Sequence, residues 1–252
     1  MNDQRQGPAH RFARTVLHRL PPFWVGTLEY LLRPSVRNPN GGPLNGQRVR
    51  QQIVLDLMRA LPLRAIVETG TFRGSTTEFL AAQSRLPVYT VEAVPRFFHY
   101  ARLRLLRFPR VRLVHGDSRA FLAWLAEDPQ VPNTDVFFYL DAHWYEDLPL
   151  RAEVELIARS WRGAVIMIDD FEVPGDAGYG FDDYGPGKRL CLDYLPPLAT
   201  IGMDAYFPTA PSQAESGAKR GCVVLADRAV ASRVAALPSL RGLRGRYTSI
   251  QP

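Results

Sequence analysis

The sequence contains little cysteine, little lysine and no long apolar run. Its two cysteines, Cys191 and Cys222, are too few for a disulfide framework or a cysteine metal site. No apolar stretch reaches the roughly eighteen residues of a membrane span, and the N-terminus lacks a signal-peptide pattern. We therefore expect a cytoplasmic protein without a transmembrane segment.

Arginine carries almost all of the positive charge. The 252 residues have a formal net charge of +6, and residues 1–64 contain ten arginines and three acids. Either arginine is this chain's general cation, or a basic N-terminal arm makes peripheral contact with an anionic membrane. We expect no nucleic-acid partner, because the arm lacks interleaved aromatics suited to base stacking. The oligomeric state stays open.

Short apolar runs alternate with helical patterns along the chain. Predicted strands cover residues 64–70, 87–93, 111–117, 135–141, 163–171, 201–209 and 220–227. Continuous apolar strands indicate burial on both faces, which is typical of a parallel α/β sheet covered by helices. Helical spacing at 10–20 and 24–32 predicts an N-terminal helical extension. We divide the chain into a basic arm, residues 1–46, and a domain, residues 47–252.

An acidic residue stands at the end of each of the first five predicted strands. These residues are Glu68, Glu92, Asp117, Asp141, and the pair Asp169 and Asp170. Any one of them could be an ordinary helix cap or loop acid. In open parallel sheets, however, ligands bind at the carboxyl ends of the strands. Five successive strands that end in acids predict a ligand site there.

The turn after the first strand, ETGTFRGSTT, indicates which ligand this is. Gly70 and Gly74 allow a tight turn and close approach of a ligand, in G-x-x-x-G spacing rather than the G-x-G-x-x-G of dinucleotide sites. The glutamate ahead of the turn would repel a pyrophosphate. Glu92 can accept both hydroxyls of a ribose, and residues 117–118 can bind a base's amino group. A nucleoside with a cationic or amine-bearing tail, such as S-adenosylmethionine, fits this pattern.

The segments VETGTFRGSTTEFLA, YTVE, HGDS, YLDAHW and MIDDF resemble the ordered motifs of class I S-adenosylmethionine-dependent methyltransferases. The resemblance covers residues 64–171. It implies a Rossmann-like fold with a seven-stranded, mostly parallel sheet, helices on both faces and a last strand that is antiparallel. The cofactor contacts that it implies are Glu68, Thr69, Gly70, Thr71, Gly74, Ser75, Glu92, Asp117, Ser118 and Asp141.

A narrower resemblance, to metal-dependent O-methyltransferases, concerns the fourth and fifth strands. It implies Mg²⁺ bound by Asp141, Asp169 and Asp170. Many of those enzymes have Asp-x-Asp where this chain has Asp-Ala-His. His143 is therefore the alternative, a general base that needs no metal. The predicted catalytic residues are Asp141, His143 and Asp170.

The Gly-, Asp- and Tyr-rich loop 172–188 follows the fifth strand, so we predict a lid over the site. Its acids and aromatics suit a sugar or another polyhydroxylated small molecule as the acceptor. The predicted substrate contacts are Trp144, Tyr179, Asp183 and Tyr184.

The sequence thus predicts an S-adenosylmethionine-dependent O-methyltransferase acting on a small-molecule hydroxyl. Two alternatives remain. The first is an NAD-dependent Rossmann oxidoreductase, which the glycine spacing disfavours. The second is a non-catalytic nucleoside-binding module, which the acids after the fourth and fifth strands disfavour.

Overall fold

A computed structural model of the chain describes residues 20–143 and 147–243. Apart from its last residue, the predicted helix at 10–20 lies outside the described residues, as does Trp144. No helix within the described ranges is both long and apolar enough to cross a membrane.

Strands and helices alternate as the sequence pattern predicts. The strands are β1 (Ala65–Thr69), β2 (Val88–Glu92), β3 (Val111–His115), β4 (Val136–Leu140), β5 (Val165–Asp169), β6 (Met203–Pro208), β7 (Cys222–Asp227) and β8 (Leu240–Gly242). The α-helices are α1 (Pro22–Leu32), α2 (Arg48–Ala60), α3 (Ser75–Ser84), α4 (Pro95–Leu105), α5 (Ser118–Glu127), α6 (Leu150–Ser160) and α7 (Arg228–Ala235). Short 3₁₀ turns occupy Pro34–Val36, Pro39–Gly41, Pro43–Gly46, Leu192–Tyr194 and Ser212–Ala214.

The strands form one mixed sheet in the order β3-β2-β1-β4-β5-β7-β6-β8. Strands β1 to β5 are mutually parallel, whereas β7 lies antiparallel between β5 and β6. The α/β class is confirmed, but the predicted count of seven strands is wrong, because β8 adds an eighth beside β6. Three residues are too few to show a strand pattern in the sequence.

The central strands are buried on both faces, and successive side chains of a strand pack against the helices on opposite faces of the sheet. In β4, Phe138 packs with Trp161 on one face, while Phe137 packs with Ile53 and Leu57 of α2 on the other. Because Thr69, Leu140 and Ile168 are level in register, the residues that follow them emerge together at the carboxyl edge of the sheet. This edge holds the predicted site.

Helix α1 packs closely against α4. A Cβ atom at Gly26 would collide with the carbonyl oxygen of Arg96, so a larger residue cannot occupy this crossing. The buried Glu29 of α1 accepts hydrogen bonds from Arg96 (Nε–Oε2 2.8 Å) and Arg33 (3.0 Å). Burial alone would raise the pKa of Glu29, but the bond and charge of Arg96 outweigh it and lower the pKa. The helix is thereby held against the domain.

Candidate active site

The β1–α3 turn passes directly beside the end of β4. Gly70 has φ 86°, a left-handed conformation, and a Cβ atom there would collide with the carbonyl oxygen of Asp141. Gly74, at φ 73°, then caps α3 in the left-handed conformation. Glycine at position 70 is what lets this turn and the β4 end meet.

Two buried acids shape the turn. The carboxylate of Glu68 accepts hydrogen bonds from the hydroxyls of Thr77 and Thr90, the latter at 2.7 Å, and burial raises its pKa to about 7. Glu92 accepts from the backbone N–H groups of Phe72 (2.6 Å) and Val94 (2.7 Å), and burial raises its pKa as well. Both predicted cofactor residues therefore lie at the carboxyl edge, on either side of the turn.

Asp117 has a structural role that the sequence left as an alternative. It caps α5 by accepting from the backbone N–H groups of Arg119 (2.9 Å) and Ala120 (3.2 Å). It also pairs with the guanidinium of Arg119 at 2.6 Å, and this hydrogen bond lowers its pKa. The neighbouring Ser118 is buried.

Asp169 is enclosed by protein donors. Its fully buried carboxylate accepts from the guanidinium of Arg50, the hydroxyl of Tyr139 and the amide of Asn45 (3.1 Å). The backbone N–H of Asp170 adds a further bond at 2.7 Å. Asp169 therefore anchors the segment before α2 to the end of β5, and its oxygens are already occupied.

Asp141, His143 and Asp170 form what we call the acid–histidine cluster. One ligand atom from each of the three lies within 4.8 Å of the others. His143 is 5% exposed, and its Nε2 atom has no hydrogen-bond partner among the described residues. The distance from Nε2 to Asp141 Oδ1 is 3.8 Å. The structure thus brings His143, rather than Asp169, together with the other two predicted metal ligands.

Negative charge prevails around the cluster. Asp170 pairs with Arg220 (Nε–Oδ1 2.7 Å), and the same guanidinium also bonds Asp182 of the following loop. Burial, and then the charge of Asp170, raise the pKa of Asp141 well above its usual range, although solvent moderates this shift because 36% of the side-chain surface remains exposed. Burial lowers the pKa of His143, which favours a neutral imidazole.

The predicted lid is bonded along its length to the β5 and β7 ends. The backbone N–H of Asp182 donates to the carbonyl of Asp170 (2.9 Å), and that of Gly221 donates to the carbonyl of Gly180 (2.7 Å). Among the predicted substrate residues, Tyr184 bonds the carboxylate of Asp182 beside the cluster.

Two other predicted substrate residues have different surroundings. Tyr179 is 2% exposed, lies in the apolar core and donates its hydroxyl to the carbonyl of Ala210 (3.1 Å). Asp183 is exposed and closes a turn by accepting from the backbone N–H of Gly185 (2.9 Å). Neither side chain is directed to the acid–histidine cluster by these bonds.

Several solved structures share this architecture. An O-methyltransferase from Bacillus cereus, determined in complex with SAH, aligns with 85% of this chain and 91% of its own at 19% identity and a TM-score of 0.50. A predicted O-methyltransferase from Klebsiella pneumoniae aligns with 86% of this chain and 94% of its own at 21% identity and a TM-score of 0.52. The chain has the methyltransferase fold. No protein-family model and no curated protein matches the sequence.

A third structure with this methyltransferase fold is a predicted caffeoyl-CoA O-methyltransferase from Staphylococcus aureus. It aligns with 86% of this chain and 97% of its own at 13% identity and a TM-score of 0.50. The α/β methyltransferase fold implied by the sequence motifs is therefore confirmed, with eight strands in place of the predicted seven.

Sequence reasoning missed several charged residues of this methyltransferase fold. Arg50 lies on the apolar face of α2, in i, i+3, i+4, i+7 spacing with Ile53, Val54 and Leu57. Glu153 of α6 has the same relation to its helix, and burial raises its pKa to about 7. A charged residue at an apolar position of an amphipathic helix was a readable signal in both cases. Arg220, two residues before β7, offered none.

Proposed function

We propose that this protein is an S-adenosylmethionine-dependent O-methyltransferase acting on a hydroxyl group of a small molecule. One observation carries the proposal. The turn around Gly70, predicted to hold the cofactor, meets the end of β4 at Asp141, the first residue of the acid–histidine cluster. A methyl donor in the turn and an acceptor at the cluster would therefore be neighbours, which direct transfer requires.

The proposed cofactor site follows the carboxyl edge from β4 to β3. Its residues are Glu68, Thr69, Gly70, Thr71, Gly74, Ser75, Glu92, Asp117, Ser118 and Asp141. Support comes from the register, which sets Glu92 level with the end of β3, and from the Gly70 turn, whose backbone N–H bonds the Val91 carbonyl at 3.1 Å. The acidic residues of this cofactor site suit the sulfonium and amine of S-adenosylmethionine better than they suit a pyrophosphate.

The acceptor hydroxyl would lie at the acid–histidine cluster. Methyl transfer forms a carbon–oxygen bond, breaks the carbon–sulfur bond of the cofactor and releases the hydroxyl proton. Asp141, His143 and Asp170 are the proton acceptors in reach. The raised pKa of Asp141 favours it as the base, and His143, which burial keeps neutral, is the alternative base that needs no metal. A divalent cation bound by the cluster would lower the pKa of the hydroxyl and hold its oxygen in place.

A polyhydroxylated acceptor, such as a sugar, fits the groups beyond the cluster. Asp182 lies next to Asp170 through their shared partner Arg220, and the Tyr184 hydroxyl adjoins it. Carboxylates and a phenol are good partners for several hydroxyls at once. We propose that the loop 172–188 contributes these contacts as the wall of the acceptor site.

Calorimetry with S-adenosylmethionine, SAH and NAD⁺ tests the cofactor. We expect the first two to bind and NAD⁺ not to bind; tight NAD⁺ binding alone would support the oxidoreductase instead. Transfer of labelled methyl groups to a panel of polyhydroxylated compounds then tests the reaction.

The catalytic role of the cluster is tested by Asp141→Asn. We expect SAH affinity to change by less than about tenfold and turnover to fall by at least about a hundredfold, as for loss of a general base. Asp204→Asn, an exposed acid on β6, is the matched control and should leave both unchanged. Equal turnover in the wild type and Asp141→Asn would show that the cluster is not where the reaction occurs.

A further inference from the structure

We infer that the acid–histidine cluster is a mixed nitrogen–oxygen cation site that selects a first-row transition ion over Mg²⁺. The inference rests on the proposed function only in where the cation sits, beside the acceptor hydroxyl. The cation class follows from the donor atoms themselves.

His143 supplies the nitrogen donor. Its Nε2 atom is buried without a hydrogen-bond partner among residues 20–143 and 147–243, and its 3.8 Å separation from Asp141 Oδ1 is too long for a hydrogen bond. A buried polar atom that stays unpaired lowers the stability of the folded state. One ring nitrogen of His143 lies within 4.8 Å of a carboxylate oxygen of Asp141 and of one of Asp170, so an ion between the three residues would give the imidazole a partner.

The negative charge around the acid–histidine cluster favours binding of a cation. Arg50 pairs with Asp169, and its charge also acts on Asp141. Arg220 pairs with the carboxylates of Asp170 and Asp182. The four carboxylates therefore outnumber the two guanidiniums, and a divalent ion would neutralise the excess of negative charge.

Asp169, which was expected to be the third oxygen donor of a magnesium site, is not available to a metal. Asp169 already accepts from Arg50, Tyr139 and Asn45, so it has little capacity left for a metal. Mg²⁺ prefers oxygen ligands in near-ideal octahedral geometry, whereas imidazole suits transition ions. Replacement of Asp169 by His143 in the cluster therefore shifts the preference away from Mg²⁺.

The experiment uses Mn²⁺ as the transition-ion probe and measures its binding to the protein without cofactor, by the electron paramagnetic resonance signal of free Mn²⁺. Mg²⁺ binding is measured by competition. We expect Mn²⁺ to bind more tightly than Mg²⁺ by at least about a hundredfold, roughly 2.7 kcal/mol. His143→Asp, which restores an all-oxygen set, should reduce this ratio at least about tenfold. Asp141→Asn should weaken both ions, and Asp204→Asn neither.

A wild-type measurement guards against a variant that fails to fold. Electron spin echo modulation of bound Mn²⁺ should show coupling to an imidazole nitrogen. Absence of that coupling, or an unchanged ion ratio in a folded His143→Asp protein, would overturn the inference. Failure of the two ideas is distinguishable. S-adenosylmethionine binding and turnover without Mn²⁺ binding would remove the cation site alone, whereas Mn²⁺ binding without cofactor binding would remove the proposed function.

Discussion

Replacement of Arg50 by methionine should destabilise the protein strongly, because it breaks a fully buried ion pair. The side chains of Arg50 and Asp169 are 1% and 0% exposed. Arg50→Met keeps much of the length but leaves the Asp169 carboxylate buried without its cation, and it also frees the carbonyl of Gly221 (2.9 Å). Removing one partner of such a pair costs about 3–5 kcal/mol. We expect a loss of that size in the free energy of unfolding.

Urea denaturation of four proteins measures this loss: the wild type, Arg50→Met, Asp169→Asn and the double variant. Since the charges are lost together in the double variant, it should be more stable than the sum of the two single losses predicts, by at least about 1 kcal/mol. Arg59→Met, at a 67% exposed arginine of the same helix, is the control and should cost less than about 0.5 kcal/mol. A loss below about 1 kcal/mol for Arg50→Met, or strict additivity, would refute the reasoning.

Two further variants probe the interior and the turn. Burial raises the folded-state pKa of Glu153 to about 7 from 4.5, so the folded state holds its proton more tightly and stability should fall as pH rises from about 4.5 to 7, by up to about 3 kcal/mol. Glu153→Gln should flatten this part of a stability–pH profile measured by urea denaturation, and an unchanged profile would contradict the assignment. Gly70→Ala should cost at least about 2 kcal/mol and abolish SAH binding in calorimetry, because the added methyl group meets Asp141 in a left-handed backbone. Gly42→Ala, with φ 119° and nothing within 4 Å, supplies the strain without the collision, so equal effects of the two variants would refute this account.

The parallel core of the fold could be predicted because each strand carries its own signal. VFFYL is apolar throughout and VIMID is apolar up to Asp169, and both segments form strands buried on each face. Strand β8 could not be predicted, since Leu240–Gly242 has neither the length nor the alternation that marks a strand. Its pairing with β6 arises from the tertiary structure, which brings residues 240–242 beside Tyr206, Phe207 and Pro208.

The grouping of acids at the carboxyl edge could be predicted from the sequence, but which of them is already bonded to protein donors could not. Parallel topology brings the strand ends to one edge, so Asp141 and Asp170 could be grouped from sequence alone. The partner of Asp169 lies 119 residues earlier, on a different element. No local pattern shows that this acid is already neutralised, and a motif of consecutive acids therefore overstates the number of free ligands.

Asp169 and Asp170 face different surroundings for a physical reason. Asp169 is the last residue of β5, and its side chain enters the layer that holds Tyr139 and Arg50. Successive side chains of a strand point to opposite faces, so the next residue cannot share that environment. Asp170 also has φ 52°, which turns the chain out of the strand and sets its carboxylate towards Arg220 and the cluster. One acid thus holds Asn45 and Arg50 against the sheet, while the other faces the acid–histidine cluster. His143 then occupies the third corner because Asp169 cannot reach it.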